Sequence, residues 1–349
     1  MEKTDIKSMT LEELEEYVVQ TGDKKFRAAQ IFGWLHEKNV KSFDEMTNIS
    51  KELREKLSEN SVLTVLEPVN ILTSAIDGTK KYLFKLSDGN VIESVLMRYR
   101  HGNSVCISSQ VGCRMGCRFC ASTLGGLVRN LTAAEMLEQI YRIKEDIGER
   151  ISNVVIMGSG EPMDNYDNVL KFAELLNSPK GLNISSRNLT ISTCGIVPRV
   201  RELADEKLQI TLAISLHAPY DELRRTMMPV ANKYSVNDII DACKYYYDRT
   251  GRRITFEYSL VKDVNDTLEC ADMLSKLVDG LNCHINLIPV NPIKERDYTQ
   301  SRTEQIEKFK KILEKNGKNV TIRREMGRDI NGACGQLRKD YIDSNTADS

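Results

Sequence analysis

Three cysteines stand close together in the sequence at a spacing suited to metal chemistry. Cys113, Cys117 and Cys120 form a C-x3-C-x2-C pattern. A [4Fe–4S] cluster normally takes four cysteine ligands, so three thiolates would leave one iron with an open coordination site. A structural zinc site is the alternative, but such sites usually combine two separated pairs of ligands, and no second pair follows at that spacing. The pattern therefore predicts one [4Fe–4S] cluster that takes part in chemistry at its open iron.

Beyond Ser104 the chain alternates between strand and helix patterns, and these elements would position the cysteines. Thr132 with Glu135 three residues later forms a capping box at the start of the first helix pattern. Repeated strand–helix units of this length indicate parallel strands joined by helical crossovers, as in an open or closed β/α barrel. The predicted strands cover residues 105–108, 153–157, 188–193, 209–216, 253–261, 284–289 and 319–324.

Two smaller parts precede these units. Residues 1–60 carry helical patterns at 11–19 and 26–36, and a basic cluster near residue 25 fits either a solvated helix start or a small nucleic-acid-binding domain. Residues 61–104 change to an alternating pattern with a turn at Asp88-Gly89, which predicts a β-hairpin extension. Residues 105–349 would form the core domain.

Polar residues follow several of the predicted strands, where barrel enzymes carry their chemistry. Met157-Gly-Ser-Gly-Glu-Pro places Gly160 and Glu161 after one strand. Glycine lets the backbone approach a ligand closely, and a glutamate can accept hydrogen bonds from an ammonium group. The remaining candidates at strand ends are Ser192, Ser215, Leu216, His217 and Asn291.

Charge and composition narrow the class of protein. The 349 residues carry a formal net charge of −1, so attraction to nucleic acid must come from local basic patches. We find no apolar run long enough to span a membrane and no signal peptide, and nine cysteines in such a chain indicate metal or redox chemistry, so we expect a cytoplasmic enzyme without a membrane partner. The expected basic patch comprises Lys318, Arg323, Arg324, Arg328, Arg338 and Lys339, extended by Arg224, Arg225, Arg249, Arg252 and Arg253.

From about Val105 to Arg324 the chain resembles the radical S-adenosylmethionine (SAM) superfamily, on the cysteine spacing and the Gly-Glu motif. The resemblance implies an α/β fold with a partial (β/α)6 barrel. It also implies that SAM binds the open iron and is cleaved to a 5′-deoxyadenosyl radical. Gly160 and Glu161 would contact the SAM amino group. By the same resemblance, the rest of SAM would be held by Ser192, Ser215, Leu216, His217 and Asn291.

Two further cysteines extend the resemblance to nearly the whole chain. Cys106 lies just before the cluster motif, and Cys334 lies in Asn-Gly-Ala-Cys-Gly-Gln-Leu near the C-terminus. These contexts closely resemble the RlmN family of RNA adenine-C2 methyltransferases, although many members have Met where Ser159 stands. The resemblance implies methylation of an adenosine in the peptidyl-transferase region of 23S rRNA and of the adenosine 3′ of the anticodon in tRNAs.

The family resemblance assigns roles to three residues. Carbon 2 of adenine is electron-poor and cannot attack the SAM methyl group, so the methyl carbon must arrive as a radical. Cys334 would carry the methyl group, Cys106 would resolve the adduct through a transient disulfide with Cys334, and Glu93 would accept the C2 proton. Two SAM molecules would be used per turnover, with flavodoxin or ferredoxin as reductant. Alternation along its predicted strand, taken alone, places Glu93 on the outward face instead.

Three alternatives stay open at this point. The Cfr-type enzymes methylate C8 of the same ribosomal adenosine and share both extra cysteines. A cluster-containing RNA-binding sensor would bind RNA without turnover. A radical SAM enzyme acting on small molecules would not bind structured RNA.

Overall fold

A computed structural model describes residues 3–293 and 295–330 of the chain. The described residues form one ten-stranded sheet, two small two-stranded sheets and ten α-helices. The strands are β1 (Thr4–Asp5), β2 (Ser61–Val62), β3 (Glu67–Thr73), β4 (Lys80–Lys85), β5 (Val91–Tyr99), β6 (Gly102–Ile107), β7 (Gln110–Gly112), β8 (Leu127–Asn130), β9 (Ile151–Ile156), β10 (Leu189–Thr193), β11 (Thr211–Ser215), β12 (Ile254–Leu260), β13 (Cys283–Pro289) and β14 (Val320–Ile322). The helices are α1 (Leu11–Gln20), α2 (Phe26–His36), α3 (Lys51–Asn60), α4 (Ala133–Ile147), α5 (Tyr166–Asn177), α6 (Val197–Asp205), α7 (Asp221–Met227), α8 (Val236–Thr250), α9 (Leu268–Leu277) and α10 (Thr303–Lys315).

The large sheet has the order β14-β13-β12-β11-β10-β9-β6-β5-β4-β3. Strands β6 and β9 to β14 are parallel neighbours, and helices connect each of them to the next. This gives six successive β/α units, from β6-α4 to β13-α10, with β14 as a further parallel strand. The predicted α/β class and its β/α repeat are confirmed.

Local sequence signals explain where several helices begin and end. Thr132 caps α4 and forms the predicted capping box with Glu135. Ser235 and Asp238 form the same motif at α8. Gly251 follows α8 with a φ of +66°, a left-handed conformation that glycine adopts without a Cβ penalty.

Strands β3, β4 and β5 extend the sheet beyond β6 in antiparallel fashion. The predicted hairpin forms, and it belongs to the same ten-stranded sheet as the β/α units. In its register Lys81 pairs with Val95, which pairs with Cys106, so these three residues form one row across β4, β5 and β6. Side chains of one row share a face of the sheet, and Glu93 shares that face because it lies two residues from Val95.

The N-terminal helices dock on α4 through buried polar contacts. Lys7 Nζ lies 2.6 Å from Glu138 Oε1, and both side chains are fully buried. Glu138 Oε2 also lies 3.2 Å from Arg142 Nε and accepts a hydrogen bond from Leu66 N at 3.0 Å. His36 Nδ1 lies 2.9 Å from the Tyr141 hydroxyl. Buried charges that satisfy one another fix the relative position of two elements, because separating them leaves each charge without its counterpart.

None of the helices in the described ranges combines the length and apolar character that a membrane span requires.

Candidate active site

A cavity of about 700 Å³ opens at the carboxyl ends of the parallel strands. It is bounded by residues of β5 and β6 at one side and by residues following β13 and β14 at the other, so the sheet curves around it. The predicted site residues that line this cavity are Glu93, Cys106, Cys113, Cys117, Cys120, Gly160, Glu161, Ser192, Ser215, His217 and Asn291. Leu216 is fully buried in the hydrophobic core. Cys334 lies outside the described residues.

The three clustered cysteines occupy the loop between β7 and β8. Cys113 N donates a hydrogen bond to Gly126 O at 2.9 Å, which closes the base of this loop. Cys113 and Cys117 are buried and Cys120 is half-buried. Burial raises the pKa of Cys113 to about 12 and also raises the pKa values of Cys117 and Cys120. Repulsion from the Cys120 charge raises the pKa values of Cys113 and Cys117 further.

This donor set fits an iron–sulfur cluster. Thiols in such surroundings become thiolates only beside strong positive charge, which bound iron supplies. Within the described ranges, no three His, Cys, Asp or Glu side chains lie close enough together for a single metal ion. The cysteines of an iron–sulfur cube bind different irons, so a wider spacing on one cavity wall is compatible with a cluster.

The Gly-Ser-Gly-Glu turn after β9 packs directly against the segment after β6. Ser159 O accepts hydrogen bonds from Ser109 N at 2.9 Å and Gln110 N at 3.1 Å. Gly160 has a φ of +111°, and a Cβ added there would lie 2.6 Å from Gln110 Cβ. The close approach of the two segments requires glycine at this position.

Glu161 is held by this turn with its carboxylate in the cavity wall. Its Oε1 accepts from Met163 N at 3.0 Å and its Oε2 from Cys194 N at 2.8 Å, while its own N donates to Gln110 Oε1 at 2.8 Å. Burial raises the pKa of Glu161, and the hydrogen bonds to its carboxylate oppose that effect. Each oxygen keeps acceptor capacity, so the group suits an ammonium ligand such as that of SAM. The buried Ser159 hydroxyl on the same cavity wall has no partner within the described residues, which also fits a polar ligand.

His217 is a buried, neutral histidine at the end of β11. Burial lowers its pKa to about 3, with a smaller contribution from the Arg224 charge. Its Nδ1 accepts from Ser259 N at 2.8 Å, so the proton of the neutral ring is on Nε2. The ring contacts the edge of Phe119, next to Cys120, with ring centroids 4.6 Å apart. Its φ of +57° is uncommon for a residue other than glycine and is typical of functional sites.

Glu93 and Cys106 lie on the cavity face of neighbouring strands. The outward position expected for Glu93 from alternation is wrong, because both faces of β5 are covered and its Glu93 face lines the cavity. Glu93 Oε2 lies 3.1 Å from Nζ of Lys81, whose side chain is fully buried. Burial raises the pKa of the half-buried Cys106 thiol, and the positive charges of Arg323 and Lys81 oppose this.

The structure adds a further cavity carboxylate, besides Glu93 and Glu161, that the sequence analysis did not single out. Glu257 on β12 is buried, and its Oε2 accepts from Asn286 Nδ2 at 2.8 Å. Burial raises the pKa of Glu257, while Arg323 and this hydrogen bond lower it. Glu257 and Ser259 alternate with apolar residues in β12, and that pattern could have identified them as facing a polar interior.

The structure also corrects part of the expected basic patch. Arg224 is fully buried instead of exposed, and it donates to the backbone oxygens of Leu216 at 3.0 Å and Cys194 at 2.6 Å. Lys318 precedes β14 and pairs with Asp279 at 2.6 Å, so it lies at the end of the strand away from the cavity. Arg323 and Arg324 do line the cavity.

Comparison with known proteins assigns the chain to a family. The family model described as the ribosomal RNA large subunit methyltransferase N-terminal domain matches residues 4–63, and the radical SAM superfamily model matches residues 107–274. A probable dual-specificity RNA methyltransferase RlmN from Lachnospira eligens is 68% identical over 97% of both chains. Its counterpart from Lachnoclostridium phytofermentans is 64% identical over 98% of this chain and 96% of its own. The chain belongs to the RlmN family.

A solved structure supports the same relationship at the level of the fold. A radical SAM methyltransferase from Sphaerobacter thermophilus superposes with a TM-score of 0.90 at 42% identity, covering 95% of this chain and 98% of that one. As an RlmN family member the chain is a SAM-dependent RNA methyltransferase of the radical SAM type, with SAM and a [4Fe–4S] cluster as its cofactors. Membership favours an RNA-modifying enzyme over a sensor or a small-molecule enzyme.

Proposed function

We propose that the chain methylates carbon 2 of an adenosine in the peptidyl-transferase region of 23S rRNA and of the adenosine directly 3′ of the anticodon in tRNAs. One observation carries the proposal. Cys106 and Glu93 face the same cavity as the three clustered cysteines and Glu161. Besides the cofactors and a thiol that carries the methyl group, methylation through a protein-bound methylene requires a resolving thiol and a proton acceptor.

The cofactors would supply the radical, and Cys334 would carry the methyl group. When bound by Cys113, Cys117 and Cys120 and by the Glu161 side of the cavity, the cluster and SAM supply a radical that removes hydrogen from carbon. Cys334 would receive a methyl group on its sulfur. This methyl group then loses one hydrogen atom, and the resulting methylene carbon forms a bond to C2 of adenine. Two SAM molecules are consumed per turnover, and a flavodoxin or ferredoxin supplies the electrons for SAM cleavage and for reduction of the disulfide that forms at the end.

Glu93 and Cys106 would complete the reaction. Glu93 would accept the C2 proton, and Nζ of the buried Lys81 lies 3.1 Å from its Oε2 and holds the carboxylate at the cavity wall. Once the adduct has returned its unpaired electron to the bound cofactor, Cys106 would attack the Cys334 sulfur. The bond between that sulfur and the methylene carbon breaks, a Cys106–Cys334 disulfide forms, and the released carbon takes up a proton to give the methylated base. Burial raises the pKa of the Cys106 thiol and the Glu93 charge raises it further, whereas the positive charges of Arg323 and Lys81 oppose this and favour the attacking thiolate.

The regiochemistry is tested with SAM that carries a fully deuterated methyl group. Cluster-loaded protein, reductant and a transcript of the ribosomal target region are incubated without oxygen, and the digested nucleosides are weighed. We expect 2-methyladenosine with two deuteriums. A product with three deuteriums would refute the methylene route, and 8-methyladenosine would assign the chain to the Cfr-type reaction.

The role of Glu93 is tested by Glu93→Gln, which removes the proton acceptor but keeps the side-chain shape. We expect normal methylation of Cys334 and strongly reduced 2-methyladenosine. Glu67→Gln on β3 is the control, because Glu67 is exposed and outside the cavity. Product formation by Glu93→Gln at the rate of the unmodified enzyme would exclude Glu93 as the base.

A further inference from the structure

The chain after β14 crosses from one side of the sheet to the other. We call residues 323–330 the crossing segment. It begins at β14, an outer strand of the sheet, where Arg323 N donates to Leu287 O at 2.8 Å. It ends against the turn formed by residues 74–79, which joins β4 to the opposite outer strand β3. Between these points residues 323–326 line the cavity, so the segment passes over the site.

Two carboxylates, one from each side, fasten the crossing segment to the turn. Asp329 accepts from the Ser74 hydroxyl at 2.6 Å and from Ala75 N at 2.9 Å. In the opposite direction, Asp77 accepts from Gly327 N at 3.0 Å. The turn and the crossing segment therefore each accept hydrogen bonds from the other. We call these three hydrogen bonds the clasp.

Hydrogen bonds within the turn hold the two turn residues of the clasp, Ser74 and Asp77, in place. Ser74 Oγ also accepts from Ile76 N at 3.1 Å, and Asp77 Oδ1 accepts from Thr79 N at 3.0 Å. Although burial raises the pKa of Asp77, the hydrogen bonds from Gly327 and Thr79 lower it to about 2. The Ser74 hydroxyl and Ala75 N lower the pKa of Asp329 as well, so both groups accept as carboxylates at neutral pH.

The packing around Gly327 also requires the crossing segment to lie close to the turn of residues 74–79. Gly327 has a φ of +62°, and a Cβ at this position would lie 2.9 Å from Thr79 Cγ2 and 3.1 Å from Ile330 Cγ1. Ile330 N donates to Gly327 O at 3.1 Å, which turns the chain back immediately after the clasp. The position at which the chain leaves the clasp is therefore fixed next to Thr79.

This exit point lies within reach of Cys106. Thr79 is two residues from Lys81, and Lys81 is two strands from Cys106 in the same row. With about 3.4 Å per residue along a strand and about 4.8 Å between strands, the separation is about 12 Å. Cys334 follows Ile330 by four residues, which span at most about 14 Å when extended.

We propose that Ser74, Asp77 and Asp329 are positioning residues for the methyl carrier. They fasten the crossing segment so that Cys334 reaches the cavity on the side of Cys106 and Glu93. The inference depends on the role of Cys334 stated under Proposed function. If loss of the clasp releases residues 324–330, the tether to Cys334 starts at the hydrogen bond between Arg323 N and Leu287 O and lengthens from about five residues to eleven. Effective concentration falls with about the 3/2 power of tether length, so contact between the two thiols should become about threefold less frequent.

The experiment measures thiol contact directly, without methyl transfer. Anaerobic cluster-loaded protein is treated with the thiol cross-linker dibromobimane, and the rate of Cys106–Cys334 cross-linking is followed by peptide mass spectrometry. The test variants are Asp77→Ala, Asp329→Ala and their combination, with Asp329→Asn to restore one acceptor. Asp248→Ala is the control because Asp248 is exposed on the helix α8 and outside the cavity and the clasp.

We expect cross-linking to slow about threefold in the double variant, with Asp329→Asn closer to the original protein. Equal iron content and equal SAM affinity of all variants would show that the cofactor site is intact. Cross-linking of the double variant at the original rate, with the unmodified protein reacting normally, would overturn the inference and leave the proposed function standing. Failure of the unmodified protein both to cross-link these cysteines and to methylate Cys334 would instead refute the proposed function.

Discussion

Gly160→Ala should uncouple SAM binding from cluster binding. A Cβ at residue 160 would lie 2.6 Å from Gln110 Cβ, whereas ordinary contacts begin at 3.4 Å, so the backbone must move by about 0.8 Å. Gln110 Oε1 holds Glu161 N at 2.8 Å, and this hydrogen bond transmits the shift to the Glu161 carboxylate. Displacement of a site group by about 1 Å costs on the order of 100-fold in rate, and alanine in a left-handed conformation costs about 1–2 kcal/mol. We expect at least a tenfold loss of SAM affinity.

The assay is equilibrium dialysis of SAM against anaerobic, cluster-loaded protein, with iron content measured in parallel. Gly251→Ala is the matched control, because Gly251 also has a left-handed φ of +66° but no atom within 4 Å of the added Cβ. That variant should lose stability and keep its SAM affinity. If Gly160→Ala binds SAM as tightly as Gly251→Ala does, the turn does not position Glu161 for SAM and the reasoning is refuted.

Two further predictions concern buried titratable side chains outside the cavity. Burial lowers the pKa of His36 to about 3, so protonation of the unfolded chain below its pKa of about 6.5 costs stability. When the pH is lowered from 7.5 to 5.5, the free energy of unfolding should therefore fall by about 1.4 kcal/mol less in the His36→Gln variant than in the unmodified protein. Pulse proteolysis in urea measures both values. Equal losses in the two proteins would contradict the burial of a neutral His36 ring. Glu138→Ala leaves the buried charges of Lys7 and Arg142 without their carboxylate partner, so it should lower the free energy of unfolding by about 3–5 kcal/mol. Protease cleavage near residue 61 should also become faster. Glu52→Ala is the control: it removes an exposed partner of Lys56 and should cost less than about 1 kcal/mol.

The order of elements was predictable because each one carries a local signal. Strands β9, β10 and β12 are rich in β-branched and aromatic residues, and each lies within about two residues of its predicted limits. The capping box at Thr132 also marked the start of α4 correctly. These signals depend on a few neighbouring residues, which is why a single sequence is sufficient to read them.

The partners of the site residues were not predictable in this way. Glu93 faces inward because β5 is covered on both faces, which alternation within one strand does not reveal. Lys81, its partner at 3.1 Å, lies on a different strand and looks like part of a solvated basic run. Arg224 stands beside Arg225 in the sequence, yet it is buried because backbone oxygens at the ends of β11 and near Cys194 accept its hydrogen bonds. Contacts between distant segments decided all three cases.

The clasp illustrates what an incompletely closed sheet requires of its last segment. A closed barrel surrounds its interior with strands, whereas this sheet ends at β3 and β14. The chain leaves β14 on the side remote from Cys106, but the proposed chemistry needs Cys334 beside β5 and β6. The eight residues of the crossing segment are held by Leu287 O at one end and by Asp77 and Ser74 at the other, so they span the distance between the two outer strands. Residues 323–326 line the cavity, and the crossing segment brings the chain to the β3–β4 turn, which lies two strands from β6 and its Cys106, the proposed resolving thiol.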